Sequence, residues 1–137
     1  MQFTLYPIAL ATLSMALSIS ACGTVPTNEY QYSVRSGSEV LTVRRLSWDG
    51  TCSTRKPSIR VVTEPANGEI SVRPKTMTIG AGADLGSNNL CEGKKVIGSQ
   101  VFYIPNEGFK GTDVFLLEST IPGAAGATRS NVTVRVR

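Results

Sequence analysis

The side chains best able to do chemistry in this chain are carboxylates and thiols, because its 137 residues include no histidine. Histidine is the commonest general base and a frequent zinc ligand, so its absence disfavours imidazole-dependent triads and most zinc chemistry. A glycosidase needs only two carboxylates. Asp49, Asp84, Glu92 and Glu107 all fall on predicted loops, but nothing in their spacing singles out a pair. We therefore expect no enzyme activity, no catalytic residue and no cofactor.

The sequence contains one candidate metal site, a possible calcium-binding loop. Residues 84–89, DLGSNN, supply several oxygen ligands. They lack the alternating acidic residues and the terminal glutamate of a calcium loop. The sequence therefore predicts no metal site.

The chain has 14 Lys and Arg and 10 Asp and Glu, a mild net charge of +4. The paired cations are Arg44-Arg45, Arg55-Lys56 and Lys94-Lys95, and none is interleaved with aromatic residues as in single-strand nucleic-acid sites. Solvated loops explain these pairs most simply, and we expect no nucleic-acid partner. A weak, salt-screened attraction to anionic lipid or polysaccharide stays open.

The N-terminal segment has the features of an export signal. Residues 7–19, PIALATLSMALSI, form an uncharged apolar run, too short for the roughly 20 residues that span a bilayer. A run of this length is typical of a signal-peptide core. The sequence therefore predicts an exported protein, with one domain in the remaining chain.

The end of this run resembles the bacterial lipobox, an aliphatic residue and two small residues before a cysteine: Ile19-Ser20-Ala21-Cys22. The resemblance implies a lipoprotein signal peptide over residues 1–21, diacylglycerol on the Cys22 thiol, and commonly acylation of the freed amine by a chain such as palmitate. It places the protein in a bacterial cell envelope, anchored by lipid, most naturally in the outer membrane with a periplasmic or surface face. The alternative is an ordinary signal peptide with Ser18 and Ser20 at the cleavage site.

The other two cysteines form an even set once Cys22 is modified. Disulfides persist in oxidising compartments, so Cys52 and Cys91 are expected to pair after export. Closing a loop of this length contributes about 4 kcal/mol in the chain-entropy model. Two unrelated buried thiols are the alternative.

The exported part shows the short, alternating apolar pattern of strands and no long helical periodicity. Residues 22–29 read as a lipidated tether and residues 30–137 as the domain. Pro65-Ala66-Asn67-Gly68 predicts a tight hairpin, because Asn-Gly tolerates positive φ angles. Residues 80–98 form a long predicted loop carrying Cys91. Strands are predicted over residues 30–34, 39–44, 59–63, 70–73, 75–79, 100–104, 112–120 and 131–136.

One segment of the domain resembles a known family. Residues 103–115, YIPNEGFKGTDVF, match the Tyr-x-Pro-x-x-Gly-Phe-x-Gly-x-Asp-x-Phe signature of bacterial Ig-like, cadherin-like domains of exported and cell-surface proteins. The earlier Pro-x-x-Gly at residues 65–68 matches the same family. The resemblance covers about residues 59–136 and implies an all-β, Ig-like, two-sheet antiparallel sandwich of seven or eight strands. The motif residues are Asn67, Gly68, Tyr103, Pro105, Gly108, Phe109, Gly111, Asp113 and Phe115.

These motif residues also have a reading that rests on folding alone. Pro105 lacks an N–H and ends a strand, while Gly108 and Gly111 permit unusual backbone angles. Phe109 can fold back onto the end of the sandwich, and Asp113 can accept hydrogen bonds from loop N–H groups. By alternation Tyr103, Phe115 and Leu117 point into the core. The motif is therefore expected to be structural, and it implies no chemistry.

The function expected from these features is a non-enzymatic, lipid-anchored envelope protein whose single Ig-like domain is a binding or structural module. An envelope protein or polysaccharide is the expected partner, and the oligomeric state stays open. Residues 80–98, with Lys94 and Lys95, are the candidate contact loop, because long loops in compact domains are often functional. The alternative is an inhibitor of an envelope enzyme, or a small enzyme, acting through that loop.

Overall fold

The fold is a sandwich of two β-sheets, seen in a computed structural model that describes residues 23–80 and 90–137. Cys22 lies outside these residues, as do the predicted signal peptide and the whole candidate calcium segment, residues 84–89, with Asp84. The described part contains seven strands and no helix. The strands are β1 (Thr27–Val34), β2 (Val40–Arg45), β3 (Ser58–Thr63), β4 (Gly68–Thr78), β5 (Lys95–Pro105), β6 (Gly111–Thr120) and β7 (Ala127–Val136).

Six of the seven strands are grouped into two sheets as in a constant-type immunoglobulin domain, and β1 is the exception. One sheet has the order β2-β5-β4 and the other β1-β7-β6-β3. In the immunoglobulin fold the second, fifth and fourth strands likewise share a sheet opposite the third, sixth and seventh. Here the first strand pairs with the last, and in parallel. The predicted all-β sandwich is confirmed, although this one pairing departs from the predicted antiparallel arrangement.

Alternation along the strands builds the core. In β6 every second residue from Asp113 to Ser119 is buried, and in β7 every second residue from Ser130 to Val136. Because successive side chains in a strand point to opposite faces, these positions meet the inward residues of the other sheet. The main cluster of buried residues is Val43, Val101, Tyr103, Phe115, Leu117, Val132, Val134 and Val136.

The hairpin predicted at residues 65–68 is wrong. β3 pairs with β6 and β4 pairs with β5, so the chain crosses from one sheet to the other between them. A tight Asn-Gly hairpin needs positive φ, and neither Asn67 nor Gly68 has it. Gly68 is instead required by close packing, because a Cβ there would overlap the Tyr103 ring.

Other predicted boundaries also change. β1 begins at Thr27, so the last three residues of the predicted tether belong to the sheet. Residues 70–73 and 75–79, predicted as two strands, form the single strand β4 as far as Thr78. Pro74 is tolerated within β4 because β4 is an edge strand, which pairs with a neighbouring strand on one side only. The predicted loop to Gly98 ends at Lys94, since β5 begins at Lys95.

Candidate binding surface at the loop end

Three loops and the start of the first strand lie at one end of the sandwich. β2 ends opposite the beginning of β5, where Arg45 pairs with Ser99, and β4 ends opposite the same strand, where Thr78 pairs with Lys95. The β6–β7 turn lies at this end because Thr120 pairs with Ala127. We call this the loop end; it comprises the β2–β3 loop (46–57), the described parts of the β4–β5 loop (79–94) and the β6–β7 turn (121–126).

A disulfide joins two of these loops. Cys52 of the β2–β3 loop is bonded to Cys91 of the β4–β5 loop, with Cα atoms 5.3 Å apart. The predicted pair is therefore confirmed. Around it lies a second small core, in which Ile79, Cys91 and Val96 are buried and Leu46, Trp48 and Cys52 pack against them. The disulfide thus closes a packed end of the sandwich.

Asp49 organises the backbone of the β2–β3 loop. Its Oδ1 accepts hydrogen bonds from the N–H groups of Thr51 and Ser53 at 2.9 and 3.0 Å, and from the Thr51 hydroxyl at 2.6 Å. These bonds, the Thr51 hydroxyl first, hold the pKa of Asp49 below its usual value. An isolated bridge between Trp48 and Thr54 closes the same loop. Asp49 therefore acts as a structural acceptor here.

Lys94 and Lys95 are both exposed at the loop end. The backbone beneath them is fixed, because the Ile79 N–H donates to the Lys94 carbonyl at 2.9 Å and the Lys94 N–H donates to the Cys91 carbonyl at 3.0 Å. Lys94 closes the loop and Lys95 opens β5. The structure therefore places both predicted contact residues on one held backbone segment next to the disulfide.

Arg45 is a feature that sequence reasoning missed. The predicted strand ends at Arg44, which leaves Arg45 in a solvated loop, but Arg45 belongs to β2 and is half-buried. Its guanidinium donates across the sandwich to the Ser119 hydroxyl at 3.1 Å and the Ser130 hydroxyl at 2.7 Å. The only signal in the sequence was small hydroxyl residues at inward positions of two strands. Arg45 ties the two sheets together just inside the loop end.

The residues of the family-like motif lie at the opposite end. Asp113, 3% exposed, accepts hydrogen bonds from the N–H groups of Ala66 (2.9 Å), Asn67 (2.7 Å) and Val114 (3.0 Å) and from the Tyr103 hydroxyl (3.0 Å). Burial, and then the hydrogen bond to Asp113, raise the pKa of Tyr103. The prediction that Asp113 binds loop N–H groups is confirmed.

The turn between β5 and β6 completes this end. β5 ends at Pro105, Gly108 has φ +73° and Gly111 has φ +145°, values that favour glycine. Phe109 lies between them, half-buried against the main core, as predicted. Phe115 is fully buried and stacks on Tyr103 with ring centroids 5.8 Å apart. Each of these motif residues is therefore explained by a structural contact or by a backbone angle that the turn requires.

No group of three potential metal-ligating His, Cys, Asp or Glu side chains occurs among residues 23–80 and 90–137. Over the same residues, no helix is long and apolar enough to span a membrane. No family model matches the chain, and no curated protein matches it. The choice of the loop end as the candidate surface therefore rests on the sequence and the geometry of this chain.

Proposed function

We propose that the protein is a non-enzymatic, lipid-anchored component of a bacterial envelope, with one β-sandwich domain serving as a binding or structural module. The observation that carries this proposal is the bond between Cys52 and Cys91. It uses both cysteines of the domain, and it requires an oxidising compartment to persist. Cys22 then remains as the single thiol, at the position where the lipobox resemblance expects the lipid.

Four of the described carboxylates have structural partners, which favours a binding role over catalysis at these positions. Asp113 accepts two hydrogen bonds on each carboxylate oxygen, and Asp49 Oδ1 accepts three from its own loop. Glu39 binds Arg73 at 2.7 Å, and Glu118 bridges Arg60 and Arg129 at 2.7 and 3.1 Å. A general acid or base needs a carboxyl group free to reach its substrate. Each of these four carboxylates has a structural partner instead.

The lipid anchor is tested by the mass of the mature protein. The full chain, produced in a bacterium with its own signal sequence, should yield a membrane-bound product whose N-terminal peptide begins at Cys22 and carries acyl chains. A Cys22→Ser variant should lose both the lipid and the membrane fraction. A wild-type product cleaved elsewhere, with an unmodified Cys22 thiol, would refute the anchor.

The binding role is tested by purification of the lipidated protein from its own envelope in mild detergent. We expect a recurrent partner, and the variants Lys94→Gln/Lys95→Gln at the loop end and Arg135→Gln/Arg137→Gln at the opposite end show which end of the domain it contacts. Stoichiometric recovery of one enzyme, inhibited by the domain, would favour the inhibitor alternative. Turnover of cell-wall fragments by the purified protein would contradict a non-enzymatic role.

A further inference from the structure

The chain enters the domain at the loop end. β1 runs parallel to β7, and Thr27 pairs with Arg129, close to the start of β7. One residue earlier, the Pro26 carbonyl accepts a hydrogen bond from the Arg129 N–H at 2.9 Å. Pro26 is therefore already fixed to the sandwich.

The remaining connection to Cys22 is short. Four peptide units separate Cys22 from Pro26, and a fully extended chain rises at most about 3.6 Å per residue, so this connection spans at most about 14 Å. β7, with 10 residues, is itself about 33 Å long. A lipid on Cys22 therefore keeps the loop end close to the bilayer, and the opposite end reaches the bilayer only if the sandwich lies on its side.

The positive charge of the domain is concentrated towards this same end. On the loop side of the middle of the strands (the Arg73–Gln100 and Leu116–Asn131 pairs) there are eight Lys and Arg and three described Asp and Glu. Asp84, outside the described residues, adds one negative charge to the β4–β5 loop. On the far side four Lys and Arg face five Asp and Glu, and Arg44, Arg73 and Glu29 lie at the middle itself. The net charge of +4 thus belongs to the half from which the tether leaves.

Five of these cations are exposed and form no ion pair within the described part of the chain: Arg55, Lys56, Lys75, Lys94 and Lys95. An exposed apolar side chain lies at the same end: Leu90 of the β4–β5 loop is 79% exposed. Basic residues beside an exposed apolar side chain suit the boundary between anionic headgroups and acyl chains.

We propose that the loop end rests on the anionic phospholipid surface of the bilayer that holds the Cys22 lipid, so that the opposite end points away from the membrane. This inference rests on the lipid anchor proposed above, and it names the partner of the surface around Lys94 and Lys95. The lipid anchor keeps the domain near the bilayer, and the cations turn the loop end towards its surface. Electrostatic attraction of this kind acts within about 8 Å at physiological ionic strength, a range that the short tether makes available.

The position of Trp48 provides a direct measurement. It is the only tryptophan of the chain, and it lies in the β2–β3 loop at the loop end. Energy transfer from Trp48 to dansyl-labelled headgroups reports how close this end is to the bilayer. The lipidated full-length product is reconstituted into vesicles of phosphatidylcholine alone, or of phosphatidylcholine mixed with phosphatidylglycerol.

We expect stronger transfer in the anionic vesicles, and we expect high salt to abolish the difference. Two variants remove the same charge from opposite ends of the domain, and all eight positions are exposed. The loop-end variant is R55Q/K56Q/K94Q/K95Q, and the far-end variant is R35Q/K110Q/R135Q/R137Q. The anionic increment should disappear in the loop-end variant and persist in the far-end variant, with both folds checked by circular dichroism.

The outcomes separate this inference from the anchor beneath it. If mass spectrometry shows lipid on Cys22 and transfer is equal in both vesicle types, the docking is wrong and the anchor stands. If the two variants lose the increment equally, net charge and not the loop end determines the effect, which also overturns the docking. If Cys22 carries no lipid, the anchor fails and the docking that rests on it fails too.

Discussion

Tyr103 and Asp113 lie on opposite sheets of the sandwich, and the Tyr103 hydroxyl donates a hydrogen bond to Asp113 Oδ2 across 3.0 Å of buried interior. Asp113 accepts its backbone donors from the segment that crosses between the sheets. One carboxylate therefore joins both sheets and their connection.

Tyr103→Phe keeps the aromatic ring and removes one donor from the buried Asp113 carboxylate. Hydrogen bonds to charged groups contribute about 1.5–3 kcal/mol, so we expect the free energy of unfolding to fall by about 2 kcal/mol. Denaturant titration measures the change. Tyr30→Phe is the control, because the Tyr30 hydroxyl makes no hydrogen bond within the described residues and its removal should have little effect. Equal losses in the two variants would contradict the role of the pair.

The same tyrosine gives a dependence on alkaline pH. Burial raises the pKa of Tyr103 above its ordinary value of 10.0, so the unfolded chain releases this proton at a lower pH than the folded protein. The corresponding stability is complete below pH 10 and is lost as pH rises towards the folded-state pKa. Denaturant titrations on both sides of pH 10 should show a steeper loss for the wild type than for Tyr103→Phe. Parallel profiles would refute the assignment.

Asp113→Asn replaces one acceptor oxygen by an NH2 group, although every neighbour of this carboxylate is a donor. In one orientation the NH2 group faces the N–H groups of Ala66 and Val114, and in the other it faces the N–H of Asn67. We expect a loss of about 3 kcal/mol in unfolding free energy. Asp49→Asn makes the same chemical change in a solvent-accessible loop, where water replaces lost bonds, and should cost clearly less. A larger effect at Asp49 would reverse this interpretation.

The disulfide should contribute strongly to stability. The 39-residue separation between Cys52 and Cys91 predicts a loss of about 4 kcal/mol on reduction in the chain-entropy model. The measurement is denaturant unfolding with and without reductant. The Cys52→Ala/Cys91→Ala variant should match the reduced wild type and show no response to reductant. A response that persists in this variant would trace the effect to something other than this bond.

Gly68→Ala tests the close approach that replaces the predicted hairpin. The added Cβ would lie 2.7 Å from the Ile104 carbonyl oxygen and would overlap the Tyr103 ring. Such overpacking costs about 1–3 kcal/mol. Gly50→Ala is the matched control, because a Cβ there meets nothing within 4 Å. Thermal unfolding of the two variants should therefore differ by several degrees, and similar melting temperatures would show that Gly68 has room.

Strand identity and facing were predictable from the sequence, because alternation is a local property. Tyr103, Phe115 and Leu117 occupy the inward positions that alternation assigns to them. Partner choice was not predictable, because alternation says which face is buried and not which strand lies beside it. The Asn67-Gly68 dipeptide favours a hairpin locally, and distant contacts with Asp113 and Tyr103 prevail over that preference.

The candidate surface was predictable in part. The disulfide follows from the even number of cysteines left once Cys22 is modified, and Lys94-Lys95 is visible in the sequence as a pair of cations. Their position beside the start of β1 depends on the parallel pairing with β7, which no local pattern encodes. Arg45 was missed for a similar reason, because its partners Ser119 and Ser130 are more than 70 residues away in sequence.

The parallel pairing of β1 with β7 also has a mechanical consequence. The chain enters β1 at one end of the sandwich, and Arg137 leaves β7 at the other, with the Arg137 N–H still donating to the Val34 carbonyl at 2.9 Å. A force applied between these two points runs along the strands. It loads the whole Thr27–Val34 register in shear, so many hydrogen bonds must fail together instead of opening one after another. A domain held by lipid at one end and pulled at the other would therefore unfold only at high force, because the β1–β7 hydrogen bonds share the load.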